Sequence, residues 1–287
     1  MTPILARSYA YCKQVARREA GNFYHAFRML PEFQARSMCA LYAFMRITDD
    51  IGDGPESLEN KQMMLRNWRE CLNHALAGHY DHPLHAAFHH TVRAHAIPRE
   101  YFDAVIDGVE MDLQPVAFQR FGELYQYCYR VASVVGLACI HIWGVSGGHD
   151  AKLCAESAGI GFQLTNILRD LGEDVLRGRI YLPREDLDRF GYSADQLRQG
   201  SRDGHFRELM RFEVERARSY YDASLPLAKW LSPPGRAVFQ VMTRTYRGLL
   251  DVMERRNYDV FSGRVSLSTW RKWTLVVQAL PVRWGWT

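Results

Sequence analysis

The sequence predicts an all-α protein, read as one bundle-like domain over residues 1–287. Three observations carry this. Apolar residues recur at helical spacing through most of the chain. Strand-type alternation is absent over any useful length. The 11 prolines fall mostly at segment edges, among them Pro31, Pro55, Pro83, Pro98, Pro183, Pro233 and Pro234, and leave long stretches free of helix breakers.

Taken in order, residues 33–53 read as a helix after Pro31, closed by Gly54-Pro55, and residues 58–77 as a second, ended by Gly78. A third runs from Pro98 to about residue 113, with Tyr101, Val105, Val109 and Asp112 in helical register. Residues 121–143 read as one long buried helix whose Ala132, Gly136 and Ala138 permit close packing, and 151–175 as another. Arg177-Gly-Arg-Ile-Tyr-Leu-Pro183 breaks the pattern and reads as a loop. Helices resume over 184–190, 205–231, 235–257 and 266–280.

Composition narrows the function. Hydrophobic residues make up 47% of the chain and charged residues 24%, which suits a packed core and not a disordered tail. With 36 basic and 32 acidic residues, the charge is too balanced to argue for nucleic acid. The six cysteines are scattered without a Cys-x-x-Cys pair, which argues against zinc and for a reducing, cytoplasmic compartment. No apolar run reaches the ~18 residues of a membrane span, and the N-terminus lacks a signal-like stretch. The expectation is a soluble protein, at most peripheral to a membrane.

Two acidic stripes carry the chemistry. In Asp49-Asp50-Ile-Gly-Asp53, Asp49 and Asp53 are i and i+4 and share a helix face that continues back through Arg46 and Tyr42. In the second, Gln163, Asn166, Asp170, Asp174 and Arg177 follow spacings of 3, 4, 4 and 3, and Asn166 to Asp174 spans roughly 12 Å. One such stripe is more often a solvated face than a site. Two of them, each with an arginine and one with amides in an otherwise apolar helix, call for a cation, because like charges one turn apart destabilise a helix. Oxygen ligands without His or Cys suit Mg²⁺, which commonly binds one or two carboxylates plus substrate phosphates. The arrangement therefore predicts a diphosphate held between two helices by Mg²⁺, with Arg46, Arg177 and Arg179 available for phosphate oxygens. A P-loop is absent, and Gly159-Ile-Gly161 sits inside a helix, where close packing is its reading and not dinucleotide binding.

At these residues the chain resembles the squalene/phytoene synthase family. Ala40 to Asp53 is similar to the family's first aspartate motif, and Gln163 to Asp174 with Arg177 to Pro183 to its second motif and flap. Tyr125 to Gly136 resembles the helix lining the reaction cavity; Asp107–Asp112 and Asp259–Val265 also read like family segments, and the likeness runs from about residue 11 to 275. The resemblance implies an isoprenoid synthase bundle with a central cavity. It implies Asp49, Asp53, Asp170, Asp174 and Asn166 as metal ligands. Arg46, Tyr246 and Arg264 would contact diphosphate, and Tyr42, Gln163 and Tyr129 would stand near the carbocation. Without the resemblance, Tyr129 and Tyr246 read as ordinary core aromatics. Phe23, Phe27, Cys39 and Phe162 are expected to line the cavity. One departure stands at Glu19-Ala20, where the family often carries a His or other polar pair.

The reaction so implied is the Mg²⁺-dependent head-to-head joining of two allylic diphosphates, farnesyl or geranylgeranyl with a slight lean to farnesyl, through a cyclopropyl diphosphate. Proton loss would give phytoene or dehydrosqualene, hydride from NADPH would give squalene, and stopping early would give the cyclopropyl diphosphate itself; the sequence leaves this open. Contact with a membrane would serve product release. Two rivals remain: a class I terpene cyclase, which shares the Asp-Asp-x-x-Asp pattern but not the flap, and a non-catalytic assembly factor, which the four intact aspartates disfavour.

Overall fold

The computed structural model describes residues 1–114 and 117–286, apart from the side chains of Asn22, Phe23 and His25. Fifteen α-helices, one π-helical turn and one 3₁₀ turn are found among the described residues, with two isolated β-bridges and no strand.

The long helices follow the sequence reading closely. Helix α3 (Glu32–Asp53) ends at Gly54, and α4 (Leu58–Leu76) starts where the Ser57 hydroxyl accepts from the Asn60 amide. Helix α6 covers Glu100–Met111, α9 covers Gly148–Leu176 and α13 covers Pro233–Arg255, the last capped by Ser232. Four helices were not legible in the sequence: α1 (Pro3–Glu19), α2 (Asn22–Phe27), α5 (His85–Ala94) and α11 (Ala194–Arg198). Helix α5 buries His85, Ala87, Phe88 and Thr91, so small and polar residues hide its inward face from a hydrophobicity pattern.

Two expected helices are interrupted. The 121–143 helix is α7 (Phe121–Cys128) and α8 (Val134–Trp143), joined by a π-helical turn at Tyr129–Ser133. Such a turn inserts an extra residue into the ladder and is frequent at functional sites. The 205–231 helix is α12 (Gly204–Ser224) followed by a 3₁₀ turn at Leu225–Lys229, because Pro226 cannot continue the α ladder. The C-terminal segment is α14 (Thr269–Gln278) and α15 (Leu280–Arg283), while α10 (Arg184–Arg189) follows the expected loop.

Two apolar clusters hold the bundle, and Tyr129 and Phe162 pack against both. In the first, Phe44 on the back of α3 stacks on Trp68 and Phe88 at 5.5 and 4.7 Å and meets Phe102 edge-on at 5.3 Å. The Trp68 indole N–H donates to the buried Thr48 hydroxyl at 2.8 Å. This fixes the helix that carries Asp49 and Asp53; Phe44→Ala would cost about 3–5 kcal/mol. In the second, the fully buried Tyr221 of α12 donates to the Gly161 carbonyl and shares a bond with Thr165, which locks α9 in register.

Two glycines set critical distances. A Cβ on Gly159 would lie 2.3 Å from the Ser133 Cα, so only glycine lets α9 touch the π turn. A Cβ on Gly52 would lie 2.6 Å from a Val109 methyl, so Gly52 brings α6 against the aspartate end of α3.

Candidate active site

The close approach at Gly52 has a chemical result: it carries Asp112, just past the end of α6, into the neighbourhood of both aspartate stripes. Asp112 accepts from the Tyr127 and Tyr181 hydroxyls, each at 2.8 Å. Burial raises its pKa, and the two tyrosines oppose the rise. Tyr181 belongs to the 177–183 loop, so Asp112 ties that loop to α7 and to the aspartates.

The α3 stripe ends in solvent. Arg46 pairs with Asp50 at 2.6 Å, and its buried Nε has no partner among the described residues. Asp53 receives Arg179 at 3.1 Å and Arg177 at 3.8 Å, both from the loop after α9. Asp49 has no ion pair among the described residues. It is reachable by water yet walled in by protein, and this enclosure pushes its carboxyl up to about 7. Arg46 opposes the rise, whereas Asp53, Asp50 and Asp112 add to it. Tyr42, half-buried one turn before Arg46, is pushed up to about 12 by burial and sits edge-on to Phe27 at 6.4 Å.

The α9 stripe is more enclosed. Asp170 is gripped by Arg169 through two nitrogens, one at 2.7 Å, and by Arg264 at 3.5 Å. Asp174 has no ion pair among the described residues and is pushed up to about 7, first by enclosure and then by Asp170, with Arg179 and Arg177 opposing. The Asn166 amide donates to Gln163 at 3.4 Å, while its buried Oδ1 has no partner among the described residues. Tyr246 of α13 is bonded to Asn166 and Arg169, and Phe162 packs edge-on against its ring at 4.7 Å.

The stripes meet through Asp112 and the 177–183 loop: Arg179 acts on Asp53, Asp112 and Asp174 together. Among the described residues no three carboxylate, imidazole or thiol groups converge tightly enough to cage an ion alone. The donor set nevertheless fits Mg²⁺ sharing its shell with phosphate: two enclosed carboxylates without cations and an orphaned amide oxygen, all hard oxygens.

A cavity of about 370 Å³ opens beside the α9 stripe. Ala20, Gly21 and Ala26 form one wall and α13 residues, including Tyr246, another; Arg169 and Arg264 reach it from the Asp170 side. Lys272, Trp273 and Val276 of α14 complete the lining.

The other expected residues fall as follows. Phe162 lies behind Tyr246, and Phe27 and Cys39 are buried in the first apolar cluster; none of the three bounds this cavity. Cys39 lies close enough to Cys12 of α1 to add to the rise that burial gives the Cys12 thiol. Tyr129 is half-buried in the π turn, with Glu156, Glu100 and Arg130 as the charges acting on it. The Phe23 side chain lies outside the described residues. Glu19 acts on Tyr42 and Arg46, so the departure at Glu19-Ala20 stands between the α3 stripe and the cavity wall. Sequence reasoning missed Arg169, which is adjacent to Asp170 and therefore off the stripe, and Asp112, which lies on neither stripe.

The sequence profile of the family described as squalene/phytoene synthase matches residues 16–271. A 15-cis-phytoene synthase of Synechococcus elongatus is 36% identical over 279 residues, covering 93% of this chain and 91% of the relative. A phytoene synthase of Arthrospira platensis is 37% identical over 277 residues, covering 92% and 90%. A crystal structure of a dehydrosqualene synthase in complex with ligand superposes with a TM-score of 0.89 at 28% identity, covering 96% of each chain. A squalene synthase of Alicyclobacillus acidocaldarius has a TM-score of 0.85, covering 90% of this chain and 97% of the other; at 24% identity that likeness speaks for the fold alone.

Proposed function

The chain belongs to the squalene/phytoene synthase family, a group of prenyltransferases of isoprenoid biosynthesis, and from that premise we propose that it joins two molecules of geranylgeranyl diphosphate head to head, yielding a phytoene-type hydrocarbon. The observation that carries the reading is the pair of aspartate stripes joined through Asp112 and Arg179, each with one carboxylate left without a cation. The relatives named phytoene synthase move the favoured substrate from farnesyl to geranylgeranyl diphosphate, since phytoene corresponds to two geranylgeranyl units.

Asp49, Asp53, Asp170, Asp174 and the Asn166 Oδ1 would hold Mg²⁺. When bound, the ion supplies charge neutralisation for the diphosphate and makes it a better leaving group. Arg46, Arg177, Arg179, Arg264 and Tyr246 then contact its oxygens, charge aimed in advance at where charge develops. As the diphosphate departs, an allylic cation forms; the double bond of the second substrate attacks it and a proton is lost as the cyclopropyl ring closes. That intermediate keeps one diphosphate, whose loss permits rearrangement to the 1′–1 linkage and a final proton loss. Tyr42, Gln163 and Tyr129 flank this path, where aromatic faces stabilise cations and exclude water. The phytoene-type ending needs no NADPH.

The test is incubation with farnesyl or geranylgeranyl diphosphate and Mg²⁺, with and without NADPH, followed by mass spectrometry of the lipid extract. The expected product is a hydrocarbon of two geranylgeranyl units, unchanged by NADPH. A cyclised product from a single substrate molecule would refute the proposal and favour a terpene cyclase.

A further inference from the structure

Two carboxylates alone among the described residues are buried, Asp186 of α10 at 3% exposure and Glu213 of α12 at 1%, and neither belongs to the aspartate stripes. They share one cation. Arg216, one turn beyond Glu213, grips Asp186 through two nitrogens at 2.7 and 3.1 Å and reaches both Glu213 oxygens at 3.0 and 2.9 Å. Its guanidinium lies over the rings of Phe121 of α7 and Phe212 of α12, 4.1 and 4.6 Å from their centroids, and Arg189 of α10 lies over the same Phe212 ring at 4.5 Å. Two acids and one base are thus held away from water, and the surplus negative charge is costly unless a proton removes it. The Glu213 and Asp186 carboxyls stand within hydrogen-bonding reach of each other, a contact that needs a proton on one of them. Burial holds the Glu213 carboxyl above the usual carboxylate range against the pull of Arg216, and Asp186 adds to the rise. From α7 the Cys128 thiol also lies within the field of Glu213.

The place of this cluster gives it a task. Asp186 stands just beyond Pro183, the end of the 177–183 loop that brings Arg179 to Asp53 and Tyr181 to Asp112. The segment between is stitched to the entrance of α7. The Arg184 and Glu185 amides donate to the Phe118 and Gln119 carbonyls at 2.9 and 3.1 Å, and the Glu185 carboxylate accepts from the Phe121 amide at 2.6 Å. Phe118 lies against Tyr127 and Tyr181, whose rings stack on each other at 5.2 Å. Arg216 therefore clamps both sides of one joint: Asp186 on the loop side, and Phe121 on the side of α7, the helix that leads into Tyr129. None of the three clustered groups lines the cavity.

We propose that Asp186, Arg216 and Glu213 are positioning residues that hold the 177–183 loop over the two aspartate stripes. They touch no substrate atom and act through Arg179 and Tyr181. The shared proton makes the anchor conditional. While one acid keeps it, a single negative charge faces a single guanidinium. Once it leaves, two buried carboxylates share one arginine, and the repulsion is relieved when α10 parts from α12 and gives Asp186 to water. That movement slackens the loop, and Arg179 loses its fixed place beside Asp53. Diphosphate binding then weakens in alkaline solution, while the carbon chemistry that follows is unaffected. The effect on substrate rests on the proposed function; the effect on the loop does not.

Two measurements on the full chain test this. Trypsin cuts after arginine, so the rate of cleavage after Arg177 and Arg179, read by mass spectrometry at one pH, reports loop opening without turnover. Steady-state kinetics with geranylgeranyl diphosphate and Mg²⁺, from neutral to alkaline pH, separate KM from kcat. Asp186→Asn, which removes the charged clamp, is expected to speed cleavage at both bonds roughly tenfold and to raise KM by a similar factor, with kcat within about twofold. In the unmodified protein KM should rise toward alkaline pH. Glu213→Gln matches the protonated acid in shape, and its amide can donate to Asp186 and accept from Arg216. It should abolish the alkaline rise. Thermal melts establish that each variant is folded; should Asp186→Asn not fold, the pH profile of Glu213→Gln decides alone. A cluster with a merely structural role would lower the Tm and leave the pH dependence of KM as it was. Unchanged cleavage and KM in folded Asp186→Asn would overturn the proposal, as would an alkaline rise in KM that is absent from the unmodified protein or identical in Glu213→Gln. If no prenyl diphosphate is consumed, the enzymatic reading fails and the trypsin measurement still decides the anchor.

Discussion

The α3 and α9 stripes carry the same charges in different surroundings. On α3 the aspartates lie at the helix end, open to water, and the arginines on Asp53 come from another element, the 177–183 loop. On α9 they sit inside the bundle, and Arg169 beside Asp170 supplies the cation locally. Both stripes nevertheless reach the same end state: one carboxylate holds an arginine, while the other, Asp49 or Asp174, has none and is pushed up to about 7. The unpaired members are where an added cation gains most. The difference lies in where the cation comes from, since Asp53 takes its arginines from a loop and Asp170 takes one from its own helix.

The largest effect should come from removing an unpaired charge. Asp49→Asn or Asp174→Asn is expected to lower turnover by about 100-fold or more, whereas Asp50→Asn, which releases only Arg46, should do much less. Steady-state kinetics on purified variants with intact circular dichroism decide this; full activity in either of the first two would count against the metal assignment.

Next in size is a thermal shift. Mg²⁺ alone dehydrates reluctantly and lacks a cage here, so Mg²⁺ with pyrophosphate should raise the Tm by more than the two separate shifts combined. A ligand at a hundredfold excess over Kd contributes about 2.7 kcal/mol. Asp170→Asn should remove most of the synergy; additive shifts in the unmodified protein would mean that the stripes share no bridged diphosphate.

The metal-free protein should also show the unpaired charges through pH. Asp49 and Asp174 have pKa values raised from 3.8 to about 7, so between these values the folded state holds protons that the unfolded chain has released. Stability is then greatest at the low end of that window and falls as pH rises through about 7. The Tm in chelator should drop between pH 5 and 8, less steeply in Asp49→Asn. A Tm that climbs over this range would contradict the crowding of carboxylates described here.

The smallest effect separates the two loop arginines. Arg177 is exposed and 3.8 Å from Asp53, so Arg177→Ala should change stability by less than about 1 kcal/mol. Arg179 is largely buried, lies 3.1 Å from Asp53 and also acts on Asp112 and Asp174. Arg179→Ala should raise KM for the diphosphate substrate more than Arg177→Ala does. Equal effects would show that the loop acts by bulk charge and not through one contact.

Local pattern was enough to read the long helices and both stripes, because helical spacing decides which residues share a face. The all-α class, the end of α3 at Gly54, the 177–183 loop and the packing role of Gly159 followed from periodicity, Pro and Gly positions and the absence of alternation. What the pattern missed had no periodic signature. Helix α5 hides its inward face behind His85 and Thr91, and the π turn at Tyr129–Ser133 leaves no mark on a hydrophobicity count.

Tertiary structure alone decided the neighbours. Asp112 joins the site because Gly52 lets α6 close on α3; Arg169 joins because α13 brings Tyr246 within its hydrogen-bonding reach; Cys39 packs near Cys12 because α1, a helix the pattern did not reveal, covers that side of α3. Spacing along a helix fixes which groups share its face, but it carries no information about what packs against that face. The carboxylates were therefore written in the sequence, whereas the enclosure by protein that raises Asp49 and Asp174, and the ion pairs of Arg179 with Asp53 and of Arg264 with Asp170, arise only when distant segments meet.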